Sequence, residues 1–180
     1  MDESVNGPKR KENSSHKKKQ QVWKKPPKGF YKLNVDGACS VEKIMKGGGI
    51  IRNEKEEVCD IFRKDFGIGN AITAEAMAVR EGVLLAKQMN ISNLWIEGDN
   101  LTVLKAIEGQ MNYPWEIDII ITDIRMLLAM FDHYQICQVP RKVNSVADFL
   151  FKTSHRLLSE VFNDSEFRTL VRQDALGKPP

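Results

Sequence analysis

Cysteine is scarce in this chain of 180 residues. The three cysteines, Cys39, Cys59 and Cys137, are widely spaced and form no CxxC pair. A small, odd set of separated cysteines is not typical of a disulfide framework or of a cysteine-ligated zinc site. We therefore interpret them as reduced packing residues of an intracellular protein.

Long apolar runs are also missing. The most apolar stretch, residues 117–131, is interrupted by Asp118, Asp123 and Arg125, so the sequence predicts no membrane span and no membrane partner. The first residues lack the apolar core of a signal peptide and contain acids, which organelle transit peptides largely avoid. We expect the protein in the nucleus or the cytoplasm.

Two common catalytic frames are absent as well. His16, His133 and His155 are scattered, and no Ser/His/Asp or Cys/His arrangement is visible around them. The glycine run 47–49 lacks the following Lys-Ser/Thr of a P-loop and is better interpreted as the start of a strand.

The excess of positive charge is concentrated in the first 28 residues. Residues 1–28 contain nine lysines and arginines against three acids, a net charge of +6, which leaves −3 for the rest of a chain whose total is +3. With few large apolar residues, residues 1–28 are predicted to be a disordered basic tail. The tail could be a nuclear signal, a phosphate-binding arm or a solvated linker, and its composition is compatible with all three.

Hydrophobic periodicity predicts an α/β domain over residues 29–160, followed by a partly disordered C-terminal extension, 161–180. Three closely spaced strands favour an antiparallel meander, and the later strand–helix–strand order requires parallel neighbours. The sequence therefore predicts a mixed five-stranded sheet flanked by helices. The predicted strands are 30–39, 47–52, 58–66, 94–99 and 134–139, and the predicted helices are 72–89, 100–107, one opening at Pro114 and one beginning at Ser145.

Four carboxylates, Asp36, Glu75, Asp99 and Asp148, stand in distinctive local sequences. Asp36 lies within a strand, where aspartate is disfavoured, although it could also start a turn before Gly37. Glu75 lies in the first turn of an apolar helix, among alanines that leave space for a ligand, although the helix dipole alone would favour it there.

The other two acids have stronger structural alternatives. Asp99 ends a buried strand, at the edge where α/β sheets bind ligands, but aspartate is also a preferred N-cap. Asp148 is preceded by Ser145 at the spacing of a capping box. If the four carboxylates meet, they repel one another unless a hard divalent cation such as Mg²⁺ binds them. We therefore expect the metal site of a two-metal nuclease.

Taken together, these local sequences resemble the type 1 ribonuclease H family, and in particular the ribonuclease-H-like domains of plants that look derived from retroelement reverse transcriptases. The likeness covers about residues 30–157. Its motifs are NVDGA at 34–38, GGGIIRN at 47–53, AEAMAVREG at 74–82, IEGDN at 96–100 and VPRKVNSVAD at 139–148.

This resemblance implies a ribonuclease H-like fold with strand order 3-2-1-4-5. It also implies that Asp36, Glu75, Asp99 and Asp148 bind two Mg²⁺ or Mn²⁺ ions and catalyse cleavage of the RNA strand of RNA–DNA hybrids. By position, we expect contacts with nucleic acid from Gly37, Ala38, Asn100, Arg141 and Asn144. A monomer is expected.

The sequence departs from this family in two places. Residues 140–144 lack the histidine that many members carry before the last helix, and the helix after Pro114 opens with Glu116 and Asp118 instead of a basic cluster. These departures keep two alternatives open. One is a catalytically weak or inactive nucleic-acid-binding module of retroelement origin, and the other is a nuclease of the same fold acting on DNA junctions or structured RNA.

Overall fold

The strand with the NVDGA motif lies at the centre of a five-stranded sheet in a computed structural model that describes residues 23–152 and 158–176. Two 3-10 helices, Trp115–Ile117 and Arg141–Asn144, accompany the main elements. The strands are β1 Tyr31–Cys39, β2 Ile44–Arg52, β3 Val58–Ile68, β4 Asn93–Gly98 and β5 His133–Gln138, and the helices are α1 Ala71–Gln88, α2 Leu101–Ile107, α3 Asp118–Leu128, α4 Ser145–Lys152, α5 Leu158–Asn163 and α6 Ser165–Ala175.

The sheet has the order β3-β2-β1-β4-β5. β1 pairs antiparallel with β2, and β2 with β3, whereas β1, β4 and β5 run parallel. This arrangement confirms the predicted mixed sheet of order 3-2-1-4-5. In the parallel part, the carboxyl ends of β1 and β4 lie at the same edge, where the acids of the candidate site are found.

Alternation along β1 separates the two faces of the sheet. Leu33 and Val35 face α1, where the absence of a side chain on Gly82 lets the helix pack closely on them. The main core fills the space between this face and α1 to α3. On the other face, a smaller core lies between β2, β3 and helices α4 to α6 and includes Ile50, Ile61, Val146, Leu150, Val161 and Phe167.

Residues outside the predicted domain, at both its ends, also pack against the sheet. Trp23 is buried and its indole Nε1 donates to Asn34 Oδ1 across 3.0 Å. The structure therefore differs from the predicted disordered tail at residues 23–28, because a polar partner and a cationic neighbour hold this single tryptophan. Helix α6 lies inside the predicted extension 161–180 and buries Phe167. The disorder predicted for residues 1–22 and 177–180 concerns positions outside the described residues.

A buried ionic network joins these two terminal segments to the sheet. Lys32 Nζ lies 2.5 Å from Glu97 Oε1, and Arg52 Nη1 lies 2.6 Å from Asp174 Oδ2 on α6. The Arg52 guanidinium also stacks on the Trp23 ring, with its Cζ 3.8 Å from the ring centroid. Each of these four buried charges therefore has a partner of opposite sign, as burial requires. Within the described residues, no helix has the length and apolarity needed to cross a bilayer.

Candidate metal-binding active site

Three of the four predicted acids meet at one edge of the sheet. Asp36 projects from β1, Glu75 from α1 and Asp99 from the loop between β4 and α2. One carboxylate oxygen of each lies within 4.8 Å of the other two. The acids are far apart in sequence, so their meeting is a consequence of the parallel pairing of β1 with β4 and of the packing of α1 on β1.

Glu75 lies deeper in its helix than the sequence indicated. Helix α1 begins at Ala71, and its N-cap is Asn70, whose side chain accepts a hydrogen bond from the Thr73 amide. No acid lies in the first turn. The helix dipole acts mainly within that turn, so it does not account for a glutamate at this position.

Asp99 is not the N-cap of α2. Asn100 takes that position, and its Oδ1 accepts a hydrogen bond from the Val103 amide across 3.1 Å. The structural alternative for Asp99 is therefore wrong, because the neighbouring residue supplies the cap. This leaves the Asp99 carboxylate turned toward Asp36 and Glu75, with a buried Oδ1 that has no hydrogen-bond partner. The contact with nucleic acid predicted for Asn100 stays a prediction.

Burial and mutual repulsion make the cluster hard to ionise. Burial, followed by the charges of Asp99 and Asp148, raises the pKa of Asp36 to about 7. Burial, followed by the charge of Asp36, raises the pKa of Glu75 to about 8. Near neutral pH, both groups therefore hold protons in part unless a cation stabilises their charged forms.

The donor set fits a hard divalent cation. It consists of carboxylate oxygens, which Mg²⁺ and Mn²⁺ prefer, and it includes two buried oxygens without a partner, Asp36 Oδ2 and Asp99 Oδ1. Buried polar atoms in folded proteins normally have partners. A bound cation would satisfy both atoms and would remove the repulsion between the acids.

Gly37 and Ala38 follow Asp36 on β1. The Gly37 amide donates to Glu75 Oε2 across 3.1 Å, which holds this carboxylate beside Asp36. Ala38 is half-buried and pairs with Lys46 of β2. The contacts with nucleic acid predicted for these two residues stay predictions.

Asp148 lies beside the cluster but outside the group of three. It occupies the first turn of α4, and its charge raises the pKa of Asp36. Arg141 Nη2 donates to its Oδ1 across 3.1 Å, and Lys152 Nζ lies 2.5 Å from its Oδ2. Sequence reasoning missed Lys152, although its position four residues after Asp148 on a helix is the spacing of an ion pair.

Asn144 fastens the segment before α4 to the central strand. Its side chain is buried, and Nδ2 donates to the Val35 carbonyl across 2.6 Å, while Oδ1 has no partner. This bond fixes the start of α4 next to the residue that precedes Asp36. The predicted contact between Asn144 and nucleic acid stays a prediction.

Several solved structures share this fold. Ribonuclease H1 from the halophilic archaeon Halobacterium salinarum superposes with a TM-score of 0.67 at 21% identity, over 70% of this chain and 97% of that one. A ribonuclease H domain from Mycobacterium tuberculosis gives 0.66 at 16% identity, over 69% and 92%. A ribonuclease H1 isolated from compost and bound to an RNA/DNA hybrid gives 0.62 at 16% identity, over 68% and 94%. At such identities, the likeness establishes the fold.

Sequence comparison establishes the family. No curated protein matches the chain significantly. The family described as reverse transcriptase-like matches residues 34–154, a range that covers about two-thirds of the chain and contains all four acids. The chain therefore belongs to the reverse transcriptase-like family and carries a ribonuclease H-type domain.

Proposed function

We propose that this protein is a divalent-metal-dependent endoribonuclease that hydrolyses the RNA strand of RNA–DNA hybrids. The observation that carries the proposal is the meeting of Asp36, Glu75 and Asp99, with ligand atoms within 4.8 Å of one another and with buried, unpartnered oxygens. Without a cation, the ionised forms of these three carboxylates repel one another and are poorly solvated. A structural role alone does not explain it.

The cations would be two Mg²⁺ or Mn²⁺ ions. Asp36, Glu75 and Asp99 would hold one, and Asp36 with Asp148 would hold the other. When bound, such ions activate water and stabilise the charge that develops on the phosphate. The protein's own contribution is to position the carboxylates. The backbone amide of Gly37 orients Glu75, and the side-chain amide of Asn144 fixes the start of α4, which carries Asp148.

Arg141 and Lys152 would take part in binding the nucleic acid backbone. Both side chains are mostly exposed, and both now contact Asp148. A metal at Asp148 would release their charges toward an incoming phosphate, which arginine binds well through its forked donors. We propose hybrids as the substrate on the basis of the family and of the hybrid bound by the similarly folded compost enzyme. Selectivity for RNA would arise from contacts with 2′-hydroxyl groups.

A nucleic-acid-binding module with weak or no catalysis is the second candidate, with a retroelement origin suggested by the family. The observation that favours it is the pairing of Asp148 with two cations, which compete with a metal for the same carboxylate.

The deciding experiment is cleavage of a labelled RNA–DNA hybrid by the full chain, with Mg²⁺ or Mn²⁺. Single-stranded RNA and duplex DNA of the same sequence serve as substrate controls. Asp36→Asn, which keeps the shape of the side chain and removes its charge, is expected to abolish cutting. Asp132→Asn, at an exposed acid outside the site, is the matched control and is expected to cut normally.

Cutting of the hybrid alone, lost in Asp36→Asn and kept in Asp132→Asn, would support the nuclease. Binding of the hybrid without cutting, by a folded wild-type chain with either metal, would favour the binding module. Preferential cutting of structured RNA or of DNA junctions would identify a different nuclease of the same fold.

A further inference from the structure

Helix α3 presents an apolar stripe to solvent. Trp115, Ile119, Met126 and Met130 are 83%, 81%, 66% and 56% exposed. Ile119 and Met126 lie on α3, whereas Trp115 lies in the 3-10 helix before it and Met130 follows its end. The four are separated by 4, 7 and 4 residues, which is the spacing of one helical face. We call these four residues the α3 stripe. The opposite face of α3 packs in the main core through fully buried residues, so the stripe is not needed for folding. Four large exposed apolar side chains aligned on one face mark an interaction surface.

The order of residues along the α3 stripe is self-complementary. When a second copy of α3 lies antiparallel, with a two-fold axis near the exposed Thr122, Trp115 faces the partner's Met130 and Ile119 faces the partner's Met126. The two-fold axis produces each of these contacts twice, with the two chains exchanged, as an isologous interface requires. Thr122 is small enough to let the two helices approach closely at the centre.

Charge along the same face favours this antiparallel arrangement. The beginning of the stripe is flanked by two exposed acids, Glu116 and Asp118. Its end is flanked by the cation Lys87, whose Nζ donates to the Met130 carbonyl across 3.1 Å. An antiparallel copy brings each acidic end to a basic end, whereas a parallel copy brings like charges together. The acids also disfavour a nucleic acid as the occupant.

A surface depression at one end offers space for a partner side chain. Its volume is about 620 Å³, and Trp115 and Ile119 line it together with Asn112, Tyr113 and Asp118. The two-fold arrangement places the partner's Met130 at this end. Methionine is unbranched and adapts to irregular apolar surfaces, so it suits such a depression.

We propose that this protein self-associates as an antiparallel two-fold dimer through the α3 stripe. Glu116 pairs with the partner's Lys87, while the apolar residues supply the buried centre. The interface is a single helix pair, so its area falls at the low end for specific interfaces. We expect a dissociation constant in the micromolar range. The proposed dimer differs from the monomer expected from the sequence, which stays a prediction, and it does not depend on the proposed nuclease function.

Sedimentation equilibrium of the full chain over a concentration series tests the dimer. We expect the mean mass to rise from 20.5 kDa toward twice that value. Glu116→Lys and Lys87→Glu are each expected to weaken association about tenfold or more, because each places like charges together twice at the interface. An equal mixture of the two variants is expected to restore association as a heterodimer, in which both charge pairs are again of opposite sign.

A matched pair of arginine variants locates the interface. Ile119→Arg introduces a charge into the α3 stripe and is expected to abolish association. Ile68→Arg makes the same change at a side chain that is 80% exposed on β3, against 81% for Ile119, and is expected to leave association unchanged. Circular dichroism verifies that each variant is folded.

Three results would overturn the proposal. The first is a wild-type chain that stays at the monomer mass throughout the series. The second is association that Ile119→Arg does not weaken, which would place the interface elsewhere. The third is a mixture of the charge variants that associates no better than either variant alone, which would exclude the antiparallel register.

Discussion

The backbone amide of Gly37 donates to Oε2 of Glu75, although the two residues are 38 positions apart in the chain. Helix α1 approaches β1 so closely at this point that a Cβ on Gly37 would lie 2.4 Å from the Ala74 carbonyl oxygen. From the sequence, this glycine was expected to contact nucleic acid. In the structure, its missing side chain makes room for the helix that delivers Glu75 to Asp36.

We therefore predict that Gly37→Ala separates Glu75 from Asp36. The added methyl group collides with backbone atoms, which cannot rotate away, so α1 must shift. The expected result is a loss of Mg²⁺ affinity of about tenfold or more, together with a loss of about 1–3 kcal/mol in the free energy of unfolding. Titration calorimetry with Mg²⁺ and urea denaturation measure the two effects.

Gly98→Ala is the matched control for this experiment. It adds the same methyl group next to Asp99, but its Cβ would lie 3.7 Å from its nearest neighbours, an ordinary contact distance. If both variants lose Mg²⁺ affinity equally, the close approach of α1 at Gly37 is not what sets the geometry of the site.

The pH dependence of stability follows from the raised pKa values. The pKa of Asp36 is about 7 in the folded protein against an ordinary 3.8, and that of Glu75 is about 8 against 4.5. Because the folded state binds these protons more tightly, their contribution to stability is complete below about pH 4 and is lost as the pH rises toward 8. In EDTA, we expect the free energy of unfolding to fall between about pH 5 and about pH 8.

Urea denaturation at the two pH values measures this change. Saturating Mg²⁺ is expected to restore stability at the higher pH, because the cation binds the ionised site of the folded chain only. Asp36→Asn is expected to reduce both the pH dependence and the effect of Mg²⁺, since it removes one titrating charge. A wild-type curve that is flat with pH in EDTA would contradict the assigned protonation.

The ion pair between Arg52 and Asp174 is predicted to hold α6 on the sheet. Arg52 is fully buried, and its Nη2 also donates to Asn34 Oδ1. Asp174→Ala would leave this cation buried without its carboxylate, and we expect a loss of about 3–5 kcal/mol in the free energy of unfolding. Asp118→Ala, at an exposed acid, should cost much less. Thermal and urea denaturation compare the two variants, and equal losses would show that this ion pair does not hold α6 on the sheet.

Trp23 is predicted to be part of the folded domain. The side chain is buried, its indole donates to Asn34, and its ring stacks on Arg52. Trp23→Ala is expected to reduce the free energy of unfolding by about 3–5 kcal/mol. A chain that begins at residue 23 is expected to keep the stability of the full chain. Denaturation followed by circular dichroism measures the stability of both chains. A Trp23→Ala variant as stable as the wild type would show that Trp23 is not part of the folded domain.

Much of the fold was predictable because the spacing of apolar residues along each element reflects which of its sides is buried. Alternation in β1 and helical periodicity in α1 reflect which side of each element is buried, and the structure places both within about a residue of the predicted bounds. The burial of Trp23 and of Asp174 was not predictable in this way. It depends on partners far along the chain, and a lone tryptophan among lysines has no periodicity to reveal it.

Local sequence was enough to find the five strands, the first four helices, the family and the four acids, since each depends on neighbouring residues or on a motif. Helices α5 and α6 were not predicted. The surroundings of these acids depend on contacts between elements that are distant in the sequence. Asp99 is free because Asn100 caps α2, and Asp148 is held apart by Arg141 and Lys152. Distances between side chains on separate elements arise from packing, and packing is a property of the whole folded chain.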